Sequence, residues 1–271
     1  MSDSRLPIVL ALLMTVPGVA LSQQAPIDWG PFFDQVLSKD QTIQDQARER
    51  ALGDILPRLC NERADLVSVE MPGLVEQLNQ QRSEVRTQAS AFLVTIAKLR
   101  ADSATVLANA VSALLKHMND PVLQVKENSV EALASLHPEP PDEVVAALQD
   151  AILTGDDSVK AAAIAGVARV ASSRPASEKL LLKLLSDGSP SAKQAVLRAI
   201  PNANLKDERV LRAVGASLSD RTEAVQNLAL IALARLGDQA VLVNRDAIAQ
   251  LAERAGRETE IGKLAYRLLE R

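Results

Sequence analysis

Aromatic residues are nearly absent from this 271-residue chain: three Phe, one Trp and one Tyr make up 2% of it. Aromatic side chains bury the most area per residue. A core built without them must come from many close contacts among Ala, Leu and Val, within a hydrophobic content of 47%. Cysteine occurs once, at Cys60, which excludes an internal disulfide framework and any cysteine-cluster metal site. Two histidines leave little material for a His-based metal centre. There is no excess of positive charge either. Thirty Lys and Arg stand against 34 Asp and Glu, a formal charge of −4. That balance speaks against a generally basic nucleic-acid binder, while leaving room for a local basic patch.

What is present begins with an apolar leader. Met1 to Arg5 is a short polar lead, and Leu6 to Leu21 is largely apolar but interrupted by Pro7, Pro17 and Gly18. The run falls short of the roughly 20 apolar residues that a membrane span needs. Ala20-Leu21-Ser22 is a small-x-small triplet of the kind signal peptidases accept, and the chain turns polar immediately after it. Residues 1–22 are read as a signal peptide cleaved after Ser22, with an uncleaved anchor as the alternative. Residues 23–271 form the mature domain, exported to the periplasm or secreted, with no stable membrane span. Cys60, far inside, reads as an inert thiol on an apolar helix face.

The remainder is periodic. Similar points recur at Ile43, Val85, Val125, Val159, Ala192, Val225 and Ile261, at spacings of 42, 40, 34, 33, 33 and 36 residues. Four positions on lie Ala47, Ala89, Ser129, Ala163, Val196, Ala229 and Ala265. Eight positions on lie Ala51, Leu93, Leu133, Val167, Ile200, Leu233 and Leu269. Offsets of zero, four and eight share one helix face, and the small residue in the middle lets a neighbouring helix approach closely. A second helical stripe precedes each point, as in Val210, Leu211, Val214 and Leu218. Turn residues separate the two, as in Asn119-Asp120-Pro121 and Asp187-Gly188-Ser189-Pro190, with Asp and Ser as expected helix caps. Pro138, Pro140, Pro141, Pro175, Pro201 and Gly237 mark junctions between units. No stretch alternates with period two, so strands are not expected.

The reading is an all-α fold, an α-α superhelix of about seven helix-turn-helix units. Neither helix of a pair can hide its apolar stripe alone, so the units must stack in series into an elongated, curved rod. Trp29, Phe32 and Phe33 are expected to cover its N-terminal end, and the charged helix near residue 271 its C-terminal end.

The run from Asp120 through Val125-Lys126 to Ala132-Leu133 resembles the second half of a HEAT repeat. The resemblance extends over about residues 31–271, and the shorter spacings are similar to those of the HEAT-like units of phycobiliprotein lyases. It implies a ladder between neighbouring units, made by a turn Asp and by an Arg or Lys six residues later. Asp120/Lys126 and Asp187/Lys193 keep both members. Asp220 faces Gln226, Arg86 has Gln80 at the acid position, and the first and last units lack the pair. The resemblance also implies that the second helices line the binding surface. Arg86, Thr87, Ser90, Lys126, Glu127, Gln194, Gln226 and Asn227 are then its candidate protein-binding residues.

No motif for chemistry accompanies these repeats. A His-Glu pairing like that of deoxyhypusine hydroxylase fails, because His117 precedes Met118 and His137 precedes Pro138. There is no phosphate-binding glycine loop, nucleophile elbow or His-Glu-x-x-His. Asp156 and Asp157 are adjacent but sit in a helix-starting turn, and His117 is expected to meet terminal carbonyls at a helix end. No catalytic residue, metal ligand or cofactor site is assigned. The leading expectation is an exported scaffold that binds another protein, and not nucleic acid. The alternatives are an enzyme or enzyme subunit resembling the chromophore lyases and isomerases, and a purely structural spacer.

Overall fold

A helix that buries positions zero, four and eight needs a partner on that side, and the computed structural model of the protein supplies one repeatedly. It describes residues 26–270, and among them every regular element is helical. The signal-peptide reading of residues 1–22 lies outside the described residues. The chain divides into two units, one ending at Ala147 and the other beginning at Leu148, each an all-α array of packed helices.

In the first unit, α1 (Trp29–Val36) carries its three aromatics at spacings of three and four, so all of them face inward. Trp29, Phe32 and Phe33 meet Phe92 from α6 (Ser83–Leu99) with ring centroids 5.6–5.8 Å apart. All three are buried, so this first helix turns its aromatics onto the core. Helix α2 (Gln41–Arg50) begins on Asp40, whose carboxylate accepts from the N–H groups of Thr42 and Ile43. It continues through a π turn at Ala51–Ile55 into α3 (Leu56–Asn61). Pro57 cannot donate the bond that a regular helix would need there, and a widened turn relieves the clash of its ring with the carbonyl one turn back. The wider turn keeps Ile55 and Leu59 in line with the stripe begun by Ala47 and Ala51. Ala47, Ala51, Ile55 and Leu59 are buried, while Ile43 is 39% exposed, so the first repeat starts one turn later than its sequence spacing suggests.

The short helices α4 (Ala64–Ser68) and α5 (Met71–Leu78) lead to α6. Then α7 (Ser103–Val106), a 3-10 turn and α8 (Val111–His117) precede α9 (Leu123–Ala134). Helices α6 and α9 pack side by side, with α5 against α6 and α8 against α9. Val85, Ala89, Leu93, Val125, Ser129 and Leu133 are all buried. Two buried charges tie the unit together. Glu70 accepts from the Ile27 N–H at 2.8 Å and from Arg58 at 2.7 Å. Arg100 donates to the carbonyls of Leu59 and Glu62, the free acceptors at the end of α3, and to Asp102 at 2.8 and 2.9 Å.

The division between the units falls within α10 (Asp142–Thr154). The second unit holds α11 (Asp157–Val170), α12 (Pro175–Asp187), α13 (Pro190–Asn202), α14 (Glu208–Ala216), α15 (Glu223–Leu236), α16 (Asp238–Val243), α17 (Arg245–Ala255) and α18 (Glu260–Leu269). The second helices α11, α13, α15 and α18 form one layer in that order, and α12, α14 and α17 are the first helices of the pairs. Their zero, four and eight positions are buried, except Leu269 at the chain end, which is half-buried. Pro175 opens α12 and Gly237 closes α15 with φ of +98°, which favours glycine; Pro201 instead lies inside the last turn of α13. Gly215 is needed for another reason: a Cβ there would collide with the Asn244 side chain. Asn244 is buried and donates to the carbonyls of Leu211 and Ala240.

Candidate functional site

The candidate residues fall on two sides of the second helices, and helix geometry explains the division. With about 100° per residue, offsets zero, four and eight centre on the buried face, offsets one and five point sideways to the next helix, and offsets two, six and ten point away from the core. Arg86, Lys126 and Gln226 stand at offset one, Ser90 at offset five, and Thr87, Glu127, Gln194 and Asn227 at offset two.

The sideways positions are used within the fold. Arg86 donates through Nε and Nη2 to Asp120 at 2.9 and 3.1 Å, and through Nη1 to the carbonyls of Gln80 and Gln81. This is the ladder implied by the resemblance: the base of one repeat meets the turn acid of the next. Asp120 is almost fully buried and also accepts from the Val122 N–H and from His117 Nδ1, each at 2.9 Å. A carboxylate only accepts, so His117 Nδ1 carries the hydrogen. Its Nε2 lies 3.3 Å from Asn79 Oδ1, which also accepts from Lys116. His117 therefore serves the ladder acid rather than helix-terminal carbonyls. Burial pushes the Asp120 carboxyl up, but the bonds from Arg86, Val122 and His117 outweigh it and hold the group below its ordinary value.

Ser90 is a correction. It was expected to face outward, but it is fully buried and accepts from Asn128 Nδ2 at 2.9 Å. Offset five points at the neighbouring α9, and a small hydroxyl there lets the helices approach while satisfying a buried amide. Thr87 is half-buried and donates to Ser83 of its own helix. Lys126 and Glu127 are half-buried on α9.

The second unit repeats the ladder with different residues. Lys193 donates to Asp220 at 2.8 Å, Asp220 accepts from the Thr222 N–H at 2.9 Å, and Gln226 donates to the Asp220 carbonyl at 2.6 Å. The Lys193 ammonium, with the Thr222 N–H, holds the Asp220 carboxyl below its ordinary value. Gln226 is thus part of the turn. Gln194 is half-buried and Asn227 exposed, both on the outer face. Sequence reasoning missed the Glu70–Arg58 pair, Asn128 and the role of His117. It also missed the exposed Arg198 and Arg235, although these follow the same outward spacing as Gln194 and Asn227.

Among the described residues, no three His, Cys, Asp or Glu side chains gather as they would to hold a metal ion. No helix among them is long and apolar enough to cross a membrane. Burial pushes the Cys60 thiol up, opposed by the nearby Arg100 charge.

No family model matches the chain, and no curated protein matches it. Solved structures do. An engineered protein is 21% identical with a TM-score of 0.45, over 88% of this chain and 66% of its own. A designed armadillo repeat protein is 19% identical with a TM-score of 0.37, over 89% of this chain and 98% of its own. Another designed armadillo repeat protein, solved in complex with the peptide (KR)4, is 21% identical with a TM-score of 0.37, over 90% of this chain and 99% of its own. The resemblance to phycobiliprotein-lyase repeats rests on unit spacing alone.

Proposed function

We propose that this chain is a non-enzymatic helical-repeat scaffold that binds another protein, rather than nucleic acid, through the outer face of its second helices. One observation carries the reading. The sideways positions Arg86, Ser90, Lys193 and Gln226 are bound into the fold, whereas Glu127, Gln194 and Asn227 stand at the outward register with no structural bond of their own. Polar side chains repeated on an outer face suit an adaptable, solvated protein interface better than a greasy one.

The test is a pull-down from the native host with the full chain and a variant carrying Thr87→Ala, Glu127→Ala, Gln194→Ala and Asn227→Ala. Retained partners should fall by tenfold or more, with helicity unchanged. Partners held at full strength by the variant would overturn the reading. We further propose export directed by residues 1–22, ending in the periplasm or outside the cell. Intact-mass measurement of the exported protein should show a chain beginning at Gln23, and one beginning at Met1 would overturn this.

A further inference from the structure

Charge is not spread evenly along the chain. Residues 148–271 hold 18 Lys and Arg against 15 Asp and Glu, while residues 1–147 hold 12 against 19. In the second unit the excess lies in the second-helix layer. Apart from the first residues of α11, α15 and α18 (Asp157, Glu223 and Glu260), these four helices contain no carboxylate, yet they hold seven Lys and Arg. The acids belong to the first helices and turns.

The register of the layer is fixed at both ends. Lys193 meets Asp220 at the start of α13 and α15, and Arg235 donates to Asn202 at 2.7 Å at their ends, so the two helices run side by side in the same direction. Offsets two, six and ten therefore fall in line between α13 and α15, and the same offsets lie on the outward face of α11 and α18. They hold Ala161, Ala165 and Arg169 on α11, then Gln194, Arg198 and Asn202 on α13. Asn227, Ile231 and Arg235 follow on α15, and Lys263 and Arg267 on α18. Every one of these is exposed or half-buried. The strip carries five cations with small or neutral residues between them; Lys263 is paired to Glu260 at the start of its own helix at 2.9 Å, and offsets two, six and ten themselves hold no carboxylate. The same offsets in the first unit give Thr87, Ala91 and Thr95 on α6 and Glu127, Glu131 and Ser135 on α9, with Glu131 paired to Lys98. The basic strip is a property of the second unit, not of the repeat.

We propose that this strip docks an extended acidic segment of a partner protein. The proposal rests on the scaffold reading above and adds the chemistry of its partner. Four helices at about 8–10 Å spacing span roughly 30 Å, which an extended chain covers in about nine residues. Guanidinium forks select carboxylates geometrically, and Arg supplies four of the five charges. Single-stranded nucleic acid is the weaker fit, because its binding sites pair cations with aromatic platforms and this strip has no aromatic residue.

Fluorescence anisotropy with the full chain at low salt tests it. The probes are a labelled peptide of about ten residues alternating Glu and Ala, the Lys and Ala counterpart, and an oligo(dT) strand of equal length. The acidic peptide should bind, lose affinity with added salt, and bind at least tenfold more tightly than either other probe. The variant Arg198→Glu with Arg235→Glu should weaken it about tenfold, as expected for two surface attractions turned to repulsions. Arg212→Glu, on α14, should not. Circular dichroism melting separates a folding loss in the Arg235 variant, and Arg198→Glu alone should still weaken binding severalfold. No binding of the acidic peptide, unchanged binding by both strip variants, or preference for oligo(dT) would overturn the proposal. Native partners lost on the Thr87, Glu127, Gln194 and Asn227 changes but kept on Arg198→Glu would defeat the acidic-segment proposal and leave the scaffold standing.

Discussion

Removing the Arg86 side chain should unsettle the first unit more than any exposed charge change in the protein. Arg86→Ala takes two hydrogen bonds from an Asp120 carboxylate that is 2% exposed, and two more from the carbonyls of Gln80 and Gln81. Breaking a buried pair by deleting one partner costs about 3–5 kcal/mol, because the remaining charge is left without compensation. Asp120 keeps the Val122 N–H and His117, which places this loss near the lower end, at about 3 kcal/mol. Asp120→Ala removes the same pair from the other side. If the pair acts as a unit, the double variant should lose less than the two single losses together, by about 1.5–2 kcal/mol. The assay is urea unfolding followed by Trp29 fluorescence. Trp29 is the only Trp in the chain and is buried in the first unit, so its signal reports that unit. A coupling below about 0.5 kcal/mol would refute the ladder as a structural bond between repeats.

Gly215→Ala should destabilise by about 2–3 kcal/mol through overpacking, since its new methyl meets Asn244; circular dichroism melting of the full chain checks this, and an unchanged melting temperature would contradict it. The carboxyls of Asp102, Asp120 and Asp220 all sit below their ordinary value of 3.8 in the fold. Groups depressed in this way add stability that is present above 3.8 and lost as pH falls through the folded values. Urea midpoints should therefore fall with acidification below about pH 4, and Asp120→Asn should flatten that fall in the Trp29 signal. Cys60, half-buried and with its thiol pushed up, should react with iodoacetamide near neutral pH much more slowly in the folded chain than in urea. Equal rates would contradict its structural placement.

Most of the fold was legible because its rule is short. A helix that buries offsets zero, four and eight announces itself, and five of the seven expected stripes are buried in full. The first failed at Ile43, which lies in the opening turn of α2 and stays 39% exposed while Ala47 and Ala51 behind it are buried. The last is incomplete at Leu269, which is half-buried. The ladder was legible as residue types, and the structure added its direction, from Arg86 to Asp120 and from Lys193 to Asp220. The candidate surface was read less well. Offsets one and five look polar and therefore outward in sequence, yet they point at the next helix. Polarity there serves packing, as in Ser90 against Asn128. Telling sideways from outward needs the neighbouring helix in place, whereas Arg198, Arg235 and Arg267 already stand at the outward spacing in the sequence and were passed over.

The outward register is tested most directly by photocrosslinking in the native host, with a benzophenone amino acid placed in the full chain at position 127, 194 or 227, and at 183 or 212 on first helices as controls. Positions 127, 194 and 227 should yield the same protein adduct, and 183 and 212 none. Adducts from the first-helix positions, with none from the outward row, would show that the partner sits on the other layer and that the assignment of the binding face is wrong.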